Sequence, residues 1–228
     1  MPIHLQREVE RLKKLVLSLS ATVEKDLRQA LKAVEARDTV LAEEVIEKDV
    51  EIDQAEIDVE EECLKILALH QPVAVDLRYI VAVLKLNNDL ERIGDLAVNI
   101  GQRAQFLNAR PAIAVPFDLN GLAEKTQNMF RKSLDALVNM DAALARSVCG
   151  MDDEVDAINR QMYDQVKDMI REHPEHLDSL IALLSISRYL ERIADHATNI
   201  AEDVLYMIEG RIVRHGREFK RPQDGIKA

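Results

Sequence analysis

The chain has 228 residues, enough for one large domain or two small ones around a real core. It is 47% hydrophobic but only 4% aromatic, without Trp and with seven Gly and six Pro, which excludes a sheet-and-turn protein and suits long helices with aliphatic seams. A net charge of −11 sets the body against nucleic acid phosphates and toward cationic ligands or basic partner surfaces.

The start, MPIHLQREVERLKK, has no signal-peptide pattern. No uncharged run exceeds about ten residues, well short of the roughly twenty of a membrane span. Two cysteines, Cys63 and Cys149, make no disulfide framework. A cytoplasmic protein is expected, meeting a membrane only through partners.

Helices are predicted near 3–36, 39–69 and 73–107, with Asp38 capping the second and Pro72 breaking the hairpin that follows it. The stretch NARPAIAVPFD, 108–118, carries two prolines and reads as the linker. Further helices are predicted near 118–147, 150–171 and 175–209, with His173-Pro174 as the break and Gly210 as the stop. A basic tail, RIVRHGREFKR at 211–221, ends the pattern as a disordered segment, or as a contact for an anionic surface.

The two triplets of helices are copies. Shifted by 100 residues, Leu90, Glu91, Arg92, Ile93, Asp95, Ala97, Asn99 and Ile100 fall on identical residues from Leu190 to Ile200. Shifted by 103, Asp38, Leu41, Ala42, Val45, Asp49, Glu51 and Asp53 fall on Asp141, Leu144, Ala145, Val148, Asp152, Glu154 and Asp156. The third helix of each copy carries an apolar seam at spacings of three and four, through Val83, Leu86, Leu90 and Ile93 and again through Leu183, Ile186, Leu190 and Ile193. The fold class is therefore all-α: six long helices forming two tandem antiparallel three-helix bundles, residues 1–110 and 111–228.

With Leu90 and Ile93 in the seam, Glu91, Asp95 and Asn99 form a ladder on the other side of that helix, and Glu191, Asp195 and Asn199 repeat it. The second helices supply Asp49 with Asp53, and Asp152 with Asp156. In the first copy the midpoints of the two acid pairs lie equally far from Pro72, and in the second equally far from His173-Pro174. An antiparallel hairpin brings such positions to one level, so each half is expected to gather four carboxylates on adjacent helices. Four like charges need water, arginines such as Arg92 and Arg192, or a multivalent cation. Two readings stand open on the residues alone, a solvated acidic face and a metal site of hard oxygen ligands.

His196 reads as a surface or capping residue beside Asp195, and Cys63, in line with Ile52, Val59 and Ile66, as a small core residue. His70, His173 and His176 match no tight zinc spacing. Gly94 and Ala194 are small residues inside the ladders, either tolerated or admitting a ligand or partner.

HQPVAVDLR (70–78), LERIGDLAVNI (90–100), LERIADHATNIAED (190–203) and the internal duplication together resemble the PhoU family of regulators of bacterial phosphate-specific transport, over nearly the whole chain. The resemblance implies two three-helix bundles related by a pseudo-twofold axis, with multinuclear metal clusters held by acid-x-x-x-Asp motifs. The positions matching those motifs are Asp49, Asp53, Glu91 and Asp95 for one cluster and Asp152, Asp156, Glu191 and Asp195 for the other, with Asn99 and Asn199 extending the ladders. Iron or zinc is the implied metal, manganese or magnesium the alternative.

The implied function is regulatory and not catalytic: restraint of the phosphate ABC transporter through its ATPase subunit, and of the phosphate-sensing histidine kinase, by a homodimer or larger oligomer that binds no nucleic acid. The sequence departs from the family at Ala194, where a glycine is expected, and no proline-containing match to HQPVAVDLR occurs in the second half. A metal-free acidic adaptor shares that role. A carboxylate-bridged di-iron oxidase is disfavoured because no Glu-x-x-His occurs and the ladder acids on the third helices lie opposite the seam.

Overall fold

The computed structural model describes residues 3–211, and every regular element among them is helical. The basic tail beyond Arg211 lies outside the described residues. The helices are α1 (Ile3–Glu35), α2 (Thr39–Glu47), α3 (Asp49–His70), α4 (Ala74–Asn108), α5 (Leu119–Asn139), α6 (Ala142–Cys149), α7 (Asp152–Glu172) and α8 (Leu177–Glu209), with a 3-10 turn at Pro174–His176 before the last. They form six rods, because α2 runs into α3 through the single residue Lys48, and α6 into α7 through Gly150 and Met151.

The helix expected over 39–69 is broken at Lys48, and one rod boundary is displaced. The helix expected over 118–147 stops at Asn139, Met140 turns left-handed with φ 49°, and Asp141 caps a new helix. Its carboxylate accepts from the amides of Ala143 and Leu144 at 2.9 and 3.0 Å. The first half does the same with Arg37 at φ 53° and Asp38, whose carboxylate accepts from the Leu41 amide at 3.0 Å. Each cap contributes about 1 kcal/mol. With no Gly or Pro at the bend, only the duplicated aspartate marks it.

The three-residue change of offset resides in the hairpin of the first half. Gln71, Pro72 and Val73 are non-helical between His70 and Ala74, and by the two offsets His70 corresponds to His173 and Ala74 to Pro174. The extra residues sit wholly in the turn, so the rods on either side keep their axial register.

Helices α4 and α8 pack on each other more extensively than any other pair, with α1, α2 and α3 against α4 and α5, α6 and α7 against α8. Leu86, Leu90, Ile93, Ala97 and Ile100 of α4 and Ile186, Leu190, Ile193, Ala197 and Ile200 of α8 are all fully buried. They belong to one apolar core that runs through both halves and includes Cys63. Burial of each large side chain contributes about 1.5–3 kcal/mol, which makes these seams the main source of stability. Polar contacts cross the α4–α8 pair: Lys85 donates to Asp203 at 2.9 Å, and Asp89 meets His196 at 2.7 Å and the Asn199 amide at 3.1 Å.

Gly94 proves to be a packing residue. A Cβ there would come within 3.1 Å of two Ile52 carbons. The repeat equivalents are Ala194 and Val155, so the second half moves one methyl group from the α7 side to the α8 side.

Candidate metal centre

Each cluster of acids is assembled by a helix start and a helix middle. Because the second rod of each half breaks, α3 begins at Asp49 and α7 at Asp152, and both put carboxylates in a first turn that has no side-chain cap. That end of a helix favours negative charge by roughly 0.3–1 kcal/mol. Opposite them, the Leu90–Ile93 and Leu190–Ile193 seams orient Glu91 with Asp95 and Glu191 with Asp195.

The expected gathering of four acids per half is present in the first half, where Asp49 and Asp53 of α3 and Glu91 and Asp95 of α4, two helices packed on each other, are close enough for their charges to act on one another. Burial raises the Asp49 carboxyl above its usual range, and the charges of Asp53, Asp95 and Asp26 push it further. Burial also raises Glu91, with Asp95, Glu56 and Asp53 adding to the rise and Arg92 opposing it. Arg92 stands 3.6 Å from Glu91 and 3.5 Å from Asp95, on the exposed side of the ladder.

The second half repeats the arrangement with Asp152, Asp156, Glu191 and Asp195. Burial pushes Asp152 up to about 6, helped by Asp195, Asp156 and Asp153. Burial likewise raises Glu191, with Asp156 the strongest neighbouring charge, and Asp195, with Glu191 and Asp156. Asn159 donates to Glu191 at 2.5 Å.

The asparagines behave differently from the acids. The Asn99 amide donates back to the Asp95 carbonyl at 2.8 Å, and that of Asn199 turns across to Asp89 on α4. His196 also faces Asp89. Cys63 is fully buried with its thiol pushed up to about 12 by burial, the state of a core residue.

A metal ion fits this donor set by one observation: the Asp49 Oδ1 is buried and without a hydrogen-bond partner while facing further acids. The oxygens are not drawn into a tight cage. Among the described residues, the one set of three such side chains with ligand atoms within 4.8 Å of one another is His173, Glu175 and His176 at the α7–α8 turn. Like charges spread until a cation draws them in. The His173 cluster was not foreseen, because H-P-E-H resembles no zinc spacing, and its three residues lie on the surface of the turn.

Two acids absent from the sequence expectation adjoin the first ladder. Asp26 projects from α1, and Glu56, one turn beyond Asp53 on α3, accepts from the buried Asn87 amide at 3.0 Å. In repeat register their counterparts are Met129 and Asn159. Asp26 occupies a core position between Val23 and Ala30 on an otherwise apolar stripe, a pattern that marks the residue as buried but not what it serves.

The PhoU domain family model matches twice, at residues 16–104 and 119–204. The chain belongs to the PhoU family. Among its relatives it is 36% identical to a phosphate-specific transport system accessory protein PhoU homolog of Pseudomonas putida, over 91% of this chain and 82% of that one. A homolog of the same description from Aquifex aeolicus is also 36% identical, over 92% and 95%. The crystal structure of PhoU from Pseudomonas aeruginosa superposes with a TM-score of 0.87 at 35% identity, covering 90% of this chain and 99% of that chain. The phosphate transport system regulatory protein PhoU from Streptococcus pneumoniae gives 0.82 at 27%, covering 92% and 100%. Both PhoU segments of this chain contain a full pair of ladders, and no helix among the described residues is long and apolar enough to cross a membrane.

Proposed function

We propose that this PhoU-family chain regulates phosphate transport from the cytoplasm without catalysis, through contacts with other proteins. The observation that carries the reading is the match of both halves to accessory and regulatory proteins of phosphate transport over nearly the whole length. The finer reading follows the family resemblance. The partners are the ATPase subunit of the phosphate ABC transporter and the phosphate-sensing histidine kinase, both restrained when phosphate is plentiful by a homodimer or larger oligomer. The units concerned are residues 1–110 and 111–228.

The ladders then hold multinuclear metal, iron or zinc first and manganese or magnesium next, on Asp49, Asp53, Glu91 and Asp95 and on Asp152, Asp156, Glu191 and Asp195. Support comes from the grouping of these acids, the unpartnered Asp49 oxygen and the hard oxygen donor set. Asn99 and Asn199 extend the ladders as weaker candidates: their amide nitrogens donate to the Asp95 carbonyl and to Asp89, and a metal would take the amide oxygens. A bound metal would neutralise the ladders and fix α3 against α4 and α7 against α8. A second reading, a metal-free acidic adaptor, is favoured by the spread of the ladder oxygens and by the proximity of Arg92 to two of the acids.

Elemental analysis of untagged protein purified without chelator separates the two. More than one equivalent of iron, zinc or manganese, lost in the Asp95→Ala/Asp195→Ala double variant with helicity retained, is the result expected. Absence of metal, with none taken up on reconstitution, leaves the adaptor. Derepression of phosphate-regulated transcription in a deletion strain, restored by the wild-type chain, tests the regulatory role itself.

A further inference from the structure

The two halves agree residue by residue in burial along their first helices. With the offset of 103, Val16, Leu19, Val23, Leu27, Ala30 and Ala33 of α1 correspond to Leu119, Leu122, Thr126, Phe130, Ser133 and Ala136 of α5, and every one of the twelve is buried. Within that register, Asp26 corresponds to Met129. Met129 is fully buried, as an unbranched apolar side chain should be. Asp26 is only 2% exposed, and neither of its carboxylate oxygens has a hydrogen-bond partner.

Such a group demands an explanation. A buried carboxylate is tolerated when it is paired, hydrogen-bonded or coordinated to a metal, and leaving one orphaned is among the more destabilising things a core can do. The second half shows that a methionine fills the equivalent space. The fold therefore does not require an acid at this level of the first helix.

The neighbourhood indicates what it does require. Asp26 is close enough to Asp49 for its charge to act on that carboxyl, and the Asp49 oxygen is itself buried and unpartnered. Two orphaned carboxylates thus come from two helices packed on each other, α1 and α3, and Asp49 links Asp26 to the ladder, since Asp53 and Asp95 act on Asp49 as well. The lysines whose charges reach Asp26, Lys25 and Lys48, make no hydrogen bond to it.

We infer that Asp26 is a fifth metal ligand of the N-terminal ladder, recruited from α1, and that this makes the N-terminal half the tighter of two unequal metal sites. The inference rests on the reading of the ladders as metal sites and adds the ligand and the inequality. More carboxylate ligands around a hard divalent ion mean higher affinity. The C-terminal site, with Met129 at the matching level, keeps four acids. The N-terminal site also ties α1 into the assembly, so loading it fixes three rods of the first bundle where the other site fixes two.

The test uses the full-length chain stripped of metal and titrated with Mn2+, the free ion being read by electron paramagnetic resonance. Asp152→Asn/Asp156→Asn isolates the N-terminal site, and Asp49→Asn/Asp53→Asn isolates the C-terminal one. Asp26→Asn and Asp26→Met are placed in each background, the second copying the residue that the other half already accommodates.

Tighter binding by the isolated N-terminal site, weakened roughly tenfold or more by both Asp26 variants with the C-terminal site unaffected, is the expected result. The same variants, free of metal, should melt at a higher temperature than the wild type while gaining less from added Mn2+. Unchanged N-terminal affinity in both variants, with helicity retained, overturns the role of Asp26 and leaves the ladders as metal sites. Mn2+ binding at neither site of the wild type overturns the inference together with the reading on which it rests.

Discussion

The N-terminal and C-terminal acidic sites were built from one plan and have drifted apart in different ways on different helices. On the second and third rods they remain copies, Asp49/Asp53 with Glu91/Asp95 against Asp152/Asp156 with Glu191/Asp195. On the first rod an acid faces a methionine, and beyond the ladder an acid, Glu56, faces an amide, Asn159. Packing therefore constrains the level of a residue along the rod, while its chemistry is free to change. Asp26 and Met129 share burial and nothing else.

The largest expected effects test where the halves are the same. Leu90→Ala and Leu190→Ala each empty a fully buried seam position and should destabilise the chain by about 2–5 kcal/mol, equally within error, in chemical denaturation followed by circular dichroism. A clear excess on one side would show that the shared core is weighted toward one bundle.

The next effect sharpens a difference. His196 corresponds to Leu96 in the other half, so His196→Leu removes the ring from Asp89 and leaves that buried acid with the Asn199 amide alone. A loss of about 1–3 kcal/mol is expected. The reciprocal change, Leu96→His, has no acid to meet at Tyr189 and should give no compensating gain.

A smaller effect concerns Gly94 and Ile52 against Ala194 and Val155. Alanine gains up to about 1 kcal/mol over glycine in a helix, but at position 94 its methyl group meets Ile52. Gly94→Ala and Ile52→Val should be favourably coupled by about 0.5–1 kcal/mol in a double-mutant cycle, because together they recreate the second half's pair.

The gentlest effect is a pH slope of the metal-free protein. Asp152 titrates near 6 in the folded chain against 3.8 in the unfolded one, so between those values the folded state holds a proton that the unfolded state has released. That contribution to stability is complete below 3.8 and is lost as pH rises toward 6. The raised Asp49, Glu91, Glu191 and Asp195 act in the same direction. Partial solvent access keeps each contribution small. Thermal melts from pH 4 to pH 7 should show a falling midpoint, flattened in Asp152→Asn.

The comparison also shows what the sequence could and could not disclose. The α4 and α8 seams were legible because spacing alone identifies a buried stripe, and the level of the acids was legible because a hairpin turns spacing into height. The bend at Met140 was not read from local signals, since AALARSVC continues a good helix and no glycine announces the left-handed residue. The repeat places Asp141 at the position of Asp38, and the bend follows only when the capping role of Asp38 is carried over with it. Asp26 was missed because one acid among apolar neighbours has no motif; its meaning depends on what another helix brings to the same depth. The turn of Asn199 toward Asp89 depends on the α4–α8 pairing, which no single helix encodes.

That pairing bears on which surfaces can meet. Lys85 with Asp203, and Asp89 with His196 and Asn199, each occur once, because their repeat partners are Ser185 with Arg103 and Tyr189 with Leu96 and Asn99. Were α4 of one molecule to pack on α4 of another in the same geometry, Lys85 would approach Arg103, and Asp89 would be pressed against Leu96. The chain thus tells its own other half from a second copy of itself, with like charges and an acid deprived of its histidine as the penalty for error. Two segments that began as identical twins have become a lock and its key, and any self-association of the whole molecule must look to faces other than these.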